Sequence, residues 1–227
     1  MTDISQKKNI YYYLSLIVSY IFHPILISTY IFIAFWQFGN FVFQPFPNSV
    51  QFKIVLLIFT TTAIVPLLLF FLNTLILKGK ISKDDLYMTE SKDRFVPFLY
   101  TGVFYSTLTY LLYTYLRFPV LLIFYLGIIS TCILLTAVIS LFWKISAHAL
   151  AIGAALMIFC LTYTILPDDR MFYVIISTLF ISGMILSSRL YLNAHEPSQV
   201  YAGFLLGMFI GACRLYFLVP NVLTISF

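Results

Sequence analysis

Two short stretches concentrate the side chains that could do chemistry. One reads Ser188-Arg189-Leu-Tyr-Leu-Asn-Ala-His195-Glu-Pro-Ser-Gln199-Val-Tyr-Ala-Gly203-Phe-Leu-Leu-Gly207, and the other is Ser146-Ala147-His148. Arg189 falls on the last turns of an apolar helix. Pro197 and Ser198 break that helix and start the next. His195 is then held at the junction, near the positive N-terminal end of the following helix. That setting suits an anion, and phosphate is the obvious one for a membrane protein. Ser146 has the place of an N-cap, with His148 in the first turn behind it. An imidazole with an unperturbed pKa near 6.5 can attack phosphorus or protonate a leaving oxygen, so two of them could divide these jobs. An ionisable group close to a bilayer costs several kcal/mol unless paired or wetted, which makes each of these residues a functional candidate.

The elements that must position them are written in the composition. Of 227 residues, 62% are hydrophobic, 19% aromatic and only 9% charged, against roughly 25% charged in a soluble domain. Mean hydropathy is +1.00. These values exclude a soluble enzyme, a disordered linker and a disulfide scaffold. At about 20 residues per crossing, the chain predicts a single all-α membrane domain over 1–227. Seven stretches qualify as spans: 10–37, 52–77, 95–116, 119–143, 148–166, 171–192 and 199–218. Backbone groups in lipid must satisfy themselves, and runs such as LLIFYLGIIS do not alternate as barrel strands do. Pro24 and Pro66 fall inside the first two stretches and should kink them.

Polar content is concentrated in three connections: 78–94, 143–148 and 187–199. Two crossings separate each from the next, so all three share one side of the membrane, together with the N-terminus. That parity lets residues about 100 positions apart build one site. The N-terminal side carries nine Lys/Arg and the other side four. The positive-inside rule then puts the clusters in the cytoplasm, but five against four remain once the four basic site candidates are set aside. The whole fits a multi-pass protein of a bacterial inner membrane.

Gly203, Gly207 and Gly211 share one helix face and permit close backbone approach. The stretch after Ser146 is rich in small residues as well: Ala147, Ala149, Ala151, Gly153, Ala154 and Ala155. If these faces pack, His148 and His195 are drawn together. The glycine face could instead serve a homodimer.

Here the residues resemble a family. Ser188-Arg189-x5-His195, followed by Pro-Ser-x-Val-x-Ala-Gly-x3-Gly, is similar to the third signature of the type-2 phosphatidic acid phosphatases, relatives of the vanadium haloperoxidases. Ser146-Ala147-His148 resembles their second signature, usually Pro-Ser-Gly-His. The resemblance runs from Lys144 to Gly211. It implies a chloroperoxidase-like helical-bundle core over 144–211 and metal-independent hydrolysis of a lipid phosphate or isoprenyl (di)phosphate through a phosphohistidine. Carried over, His195 is the nucleophile and His148 the general acid. Arg189 and Ser146 would hold phosphate oxygens. The chain departs from the family at Gln199, where an aspartate usually orients the nucleophile. Gln199 can accept a hydrogen bond from the ring but cannot balance its charge, and Glu196 is a nearby carboxylate that could substitute. The first signature, Lys-x6-Arg-Pro, survives only as Lys92-Asp93-Arg94-Phe-Val-Pro97. By the same resemblance, Lys92 and Arg94 would be the corresponding phosphate ligands. A phosphatase of lipid metabolism is the reading that follows, and the alternative is a pocket that binds a phospholipid or polyprenyl phosphate without turning it over.

The remaining polar residues read blandly. His23, before Pro24, is expected to be packed or backbone-bonded. Lys144 follows Trp143 and should snorkel to headgroups. Asp168, Asp169 and Arg170 form a solvated turn. Cys132, Cys160 and Cys213 lie in apolar runs and read as small packing residues. No Cys, His and carboxylate cluster has metal-ligand spacing, so neither zinc nor iron nor any other cofactor is expected. No basic run interleaved with aromatics suggests nucleic acid.

Overall fold

The computed structural model describes residues 9–78 and 91–223. Among them every regular element is helical: α1 (Ile10–Ile21), α2 (Pro24–Phe38), α3 (Asn48–Phe59), α4 (Val65–Lys78), α5 (Phe95–Thr114), α6 (Val120–Ser140), α7 (Ala147–Ile165), α8 (Asp169–Tyr191) and α9 (Pro197–Leu223). Most of the polar connection 78–94 lies outside the described residues.

Five of these helical stretches are long and apolar enough to cross a bilayer, and the bent pair α1 and α2 makes a sixth if it counts as one span. Seven crossings are therefore not shown. The stretch expected at 199–218 is helical, but Pro197–Cys213 qualifies only as a shorter apolar helix.

The two prolines act differently. Pro24 ends one helix and opens another, and α1 and α2 meet at 65°. Proline is at home at the first helical position but clashes one turn deeper. The bend is therefore a break rather than the expected kink, and it leaves Phe22 and His23 outside both helices. Pro66 lies in a continuous apolar stretch, Asn48–Ile76. A π-helical turn at Thr60–Ile64 precedes it. Proline has no N–H for the carbonyl four residues earlier, that of Thr62. The Tyr105 hydroxyl donates to that carbonyl at 2.8 Å instead, which satisfies a polar group that lipid could not.

The core lies between α2, α6 and α7. Phe35 stacks on Tyr125 at 5.0 Å and meets Phe159 edge-on at 5.4 Å. Tyr125 shares a hydrogen bond of 2.7 Å with Thr162. Helices α7 and α9 make the closest approach. A Cβ on Gly207 would run into the Leu150 carbonyl and the Ala154 amide, and one on Gly153 would strike the Phe204 carbonyl. The glycine face is thus occupied within the chain rather than left for a second copy. Because these obstacles are backbone, Gly207→Ala must push the helices apart. It should cost about 1–3 kcal/mol, read as a lower thermal midpoint in detergent. Gly183→Ala, whose Cβ meets nothing within 4 Å, should be neutral or slightly stabilising.

Candidate functional site

The end of α8 is set by Asn193, not by the proline that follows. Asn193 adopts φ 49°, a left-handed conformation that asparagine tolerates and that stops a helix. Its N–H donates to the Leu190 carbonyl and that of Ala194 to the Arg189 carbonyl, at 3.0 and 3.2 Å. The chain turns there, and His195 swings into the junction before Pro197, only 8% exposed.

Two bonds then tie this junction to the start of α7. The Ser146 N–H donates to the Gln199 carbonyl at 3.2 Å. The Nδ1 of His195 lies 3.2 Å from the Lys144 carbonyl and 3.1 Å from Gln199 Oε1. The Glu196 N–H donates to the same Oε1 at 3.3 Å, which points the amide oxygen at the ring. Both neighbours of Nδ1 are acceptors, so Nδ1 carries the proton and Nε2 keeps its lone pair. Gln199 thus accepts from the ring, and Glu196 is exposed, with its backbone rather than its carboxylate in this network.

Burial, and next the Arg189 charge, push His195 down to about 4. The imidazole is therefore neutral at pH 7. The unfolded chain takes up that proton near pH 6.5; the folded chain refuses it until about 4. Stability is then whole above 6.5 and falls as pH drops, by about 2 kcal/mol at pH 5. The drop in thermal midpoint between pH 7 and 5 should shrink in His195→Asn, whose amide does not titrate.

Arg189, in the last turn of α8, donates from Nη1 to Ser19 Oγ at 3.3 Å. Its Nε is buried and has no hydrogen-bond partner among the described residues. An unused donor in a buried guanidinium is costly unless something accepts from it. His148, in the first turn of α7, places Nε2 3.1 Å from the Ser19 carbonyl. It lies within electrostatic reach of Arg189, His23 and His195. Ser146 is fully buried and caps α7 through its Oγ, which accepts from the Ala149 N–H at 3.4 Å. Arg94, partly buried at the start of α5, acts electrostatically on Arg189 and His195. Lys92 is exposed on the preceding turn, and no contact joins it to the cluster among the described residues. Burial, then the Arg94 and Arg189 charges, push the Lys144 ammonium down. Lys144 therefore lies within electrostatic reach of Arg94 and Arg189.

Residues 135–222 match the family model of the PAP2 superfamily. That is the family the two histidine signatures resemble, and both signatures lie inside the matched segment. No curated protein matches the chain, and no solved structure does. Lys92 and Arg94 stand outside the PAP2 segment, so only the geometry speaks for Arg94. The PAP2 match points to phosphatase-type chemistry on phosphate esters, carried here on apolar membrane-type helices.

Sequence reading missed two contributors, both before the PAP2 segment. Ser19 links Arg189 to His148. His23 caps α2, with Nδ1 accepting from the Ile25 N–H at 3.4 Å, and its ring meets His148 edge-to-face at 5.5 Å. The backbone-bonded state expected for His23 is present, but so is the site. The one signal was His-Pro in an apolar run, which marks a helix break and so a side chain free of both helices. At the opposite end of the bundle, Asp168 caps α8 and pairs with Arg170 at 2.7 Å, so that turn is built rather than merely solvated. Two cavities of about 520 and 540 Å³ lie away from the histidines, one between α5 and α6 and one beside Gln51 and Arg170.

Proposed function

We propose that the protein is a membrane-embedded, metal-independent phosphatase that acts on a lipid phosphate or an isoprenyl (di)phosphate through a phosphohistidine. The observation that carries this reading is His195, with Nδ1–H held by two acceptors and Nε2 left with its lone pair, beside a buried guanidinium whose Nε has no partner among the described residues. His195 Nε2 attacks phosphorus. His148 protonates the leaving oxygen, and water then cleaves the P–N bond. Arg189 and Arg94 hold the phosphoryl oxygens as their charge grows, with Lys144 adding to the field. Lys92 and Ser146 are weaker candidates, since Lys92 is exposed and the Ser146 hydroxyl already caps a helix. No three His, Cys, Asp or Glu side chains among the described residues are arranged to hold a metal. The apolar exterior, including Leu68, Leu72 and Phe180, suits a substrate that reaches the site from one leaflet with its tail against the spans.

The test is phosphate release from phosphatidic acid and isoprenyl phosphates by purified protein with a chelator present. Release from either supports the reading, and none from any such substrate overturns it. Gln199→Glu separates a weakened enzyme from a pocket that only binds. The carboxylate would occupy the position of Oε1 and balance the cationic phosphohistidine ring. Turnover at neutral pH should rise about tenfold, since one well-placed charge is worth on the order of 1–2 kcal/mol. A binding pocket would show no turnover in either form.

A further inference from the structure

The third histidine has no place in the chemistry above. We propose that His23 is the positioning residue of the general acid: its imidazole holds His148 in the state that donates a proton to the leaving oxygen. The proposal rests on the phosphatase reading and extends it to a residue outside the PAP2 segment.

Three observations converge on it. The break between α1 and α2 frees His23 from both helices. Its Nδ1 accepts the Ile25 N–H, so the ring is neutral with its proton on Nε2, and its orientation is fixed by the cap. The His148 ring meets it at 5.5 Å and 81°, an edge-to-face contact. His148 also needs help. Its Nε2–H is directed at the Ser19 carbonyl, so only Nδ1 can carry the proton that leaves. The ionisable groups within electrostatic reach of His148 among the described residues are Arg189, His23 and His195. None is acidic, and no carboxylate is bonded to either ring among the described residues. An imidazolium is poorly tolerated beside a guanidinium unless something nearby accepts positive charge. A neutral aromatic ring met by the polar N–H or C–H edge of a cation does so.

The proton balance is simple. His195 Nε2 forms the P–N bond as the P–O bond breaks, and the leaving oxygen takes the proton from His148. In the second step water attacks phosphorus, the P–N bond breaks, and the water proton returns to His148. His23 touches neither bond. It sets how much of His148 is charged when the substrate arrives.

A leaving group that needs no proton is indifferent to this, which gives the test. Alkyl phosphates require protonation, whereas p-nitrophenyl phosphate does not. The experiment compares turnover of an alkyl phosphate and of p-nitrophenyl phosphate in the full-length protein, in His23→Asn and in His23→Asp. Both replacements keep an N-cap acceptor for α2, so the break is preserved, and only Asp supplies negative charge. The alkyl-to-aryl ratio of kcat should fall about tenfold in His23→Asn, within the range of general-acid effects, with KM for the alkyl ester unchanged. It should recover in His23→Asp. Equal losses on both substrates, no loss on either, or a ratio in His23→Asp as low as in His23→Asn would overturn the proposal and leave the phosphatase reading intact. A native protein that turns over neither ester would overturn that reading, and this proposal with it.

Discussion

Replacing His195 with alanine should abolish phosphate release, by about 10⁴-fold or more, while the protein keeps its helix content and remains monodisperse in detergent. The size of the loss follows from the role. A nucleophile that forms the bond to phosphorus has no stand-in, and residues of such a unit fail together when one is removed. Geometry makes the expectation specific. Nδ1–H is committed to Lys144 and Gln199, so only Nε2 can become phosphorylated. Labelled substrate should leave an acid-labile, alkali-stable phosphoryl group on the native protein and none on His195→Ala. His148→Ala tests the other half. It should slow formation of the phosphoenzyme from alkyl esters but still allow it from p-nitrophenyl phosphate. Turnover or labelling that survives His195→Ala would remove His195 from the chemistry.

The sequence shows different parts of this arrangement with different clarity. The spans were legible because charge density falls to almost nothing over stretches of bilayer length, and parity then placed 146–148 and 189–199 at one end. The meeting of α7 and α9 was legible too. Small residues at four-residue spacing have little use except close backbone approach, and Gly207 lies against Leu150 as that pattern implies. The cap at Ser146 followed from its place before α7, and the contact of His195 with Gln199 Oε1 followed from the resemblance. What escaped was the interruption of the first apolar stretch. Hydropathy is nearly uniform across Ile10–Phe38, so nothing in it tells a kink from a 65° break. Yet that break decides whether His23 is a lipid-buried side chain or a neighbour of His148. The π-turn before Pro66 was equally hidden, and so was the hydroxyl that satisfies its Thr62 carbonyl, from Tyr105 more than 40 residues away. Motif reading finds residues that a family shares. Ser19 and His23 lie outside the matched segment, and only tertiary contact brings them to the site.

Arg189 tests the anion side of the site, and it does so through shape rather than charge. Arg189→Lys keeps a positive group at the end of α8, so the electrostatic pull on a phosphate survives. It loses the planar fork, one arm of which already donates to Ser19 Oγ while the buried Nε has no acceptor among the described residues. An ammonium cannot hold Ser19 and also present a second donor in a fixed direction. The interaction it forfeits is a charge-assisted hydrogen bond to an equatorial phosphoryl oxygen, which strengthens as charge develops there. The expected result is a fall in kcat of about 10²–10³-fold, the scale seen when one preorganised donor is removed, with a much smaller change in KM. Arg189→Met should fall further and should also weaken ground-state binding, because charge is lost along with the fork. Inorganic phosphate, as a competitive inhibitor, separates the two effects. Its inhibition constant should change little in Arg189→Lys and rise clearly in Arg189→Met. If lysine restores full turnover, Arg189 acts only as a point charge, and the buried Nε has no part in binding phosphate.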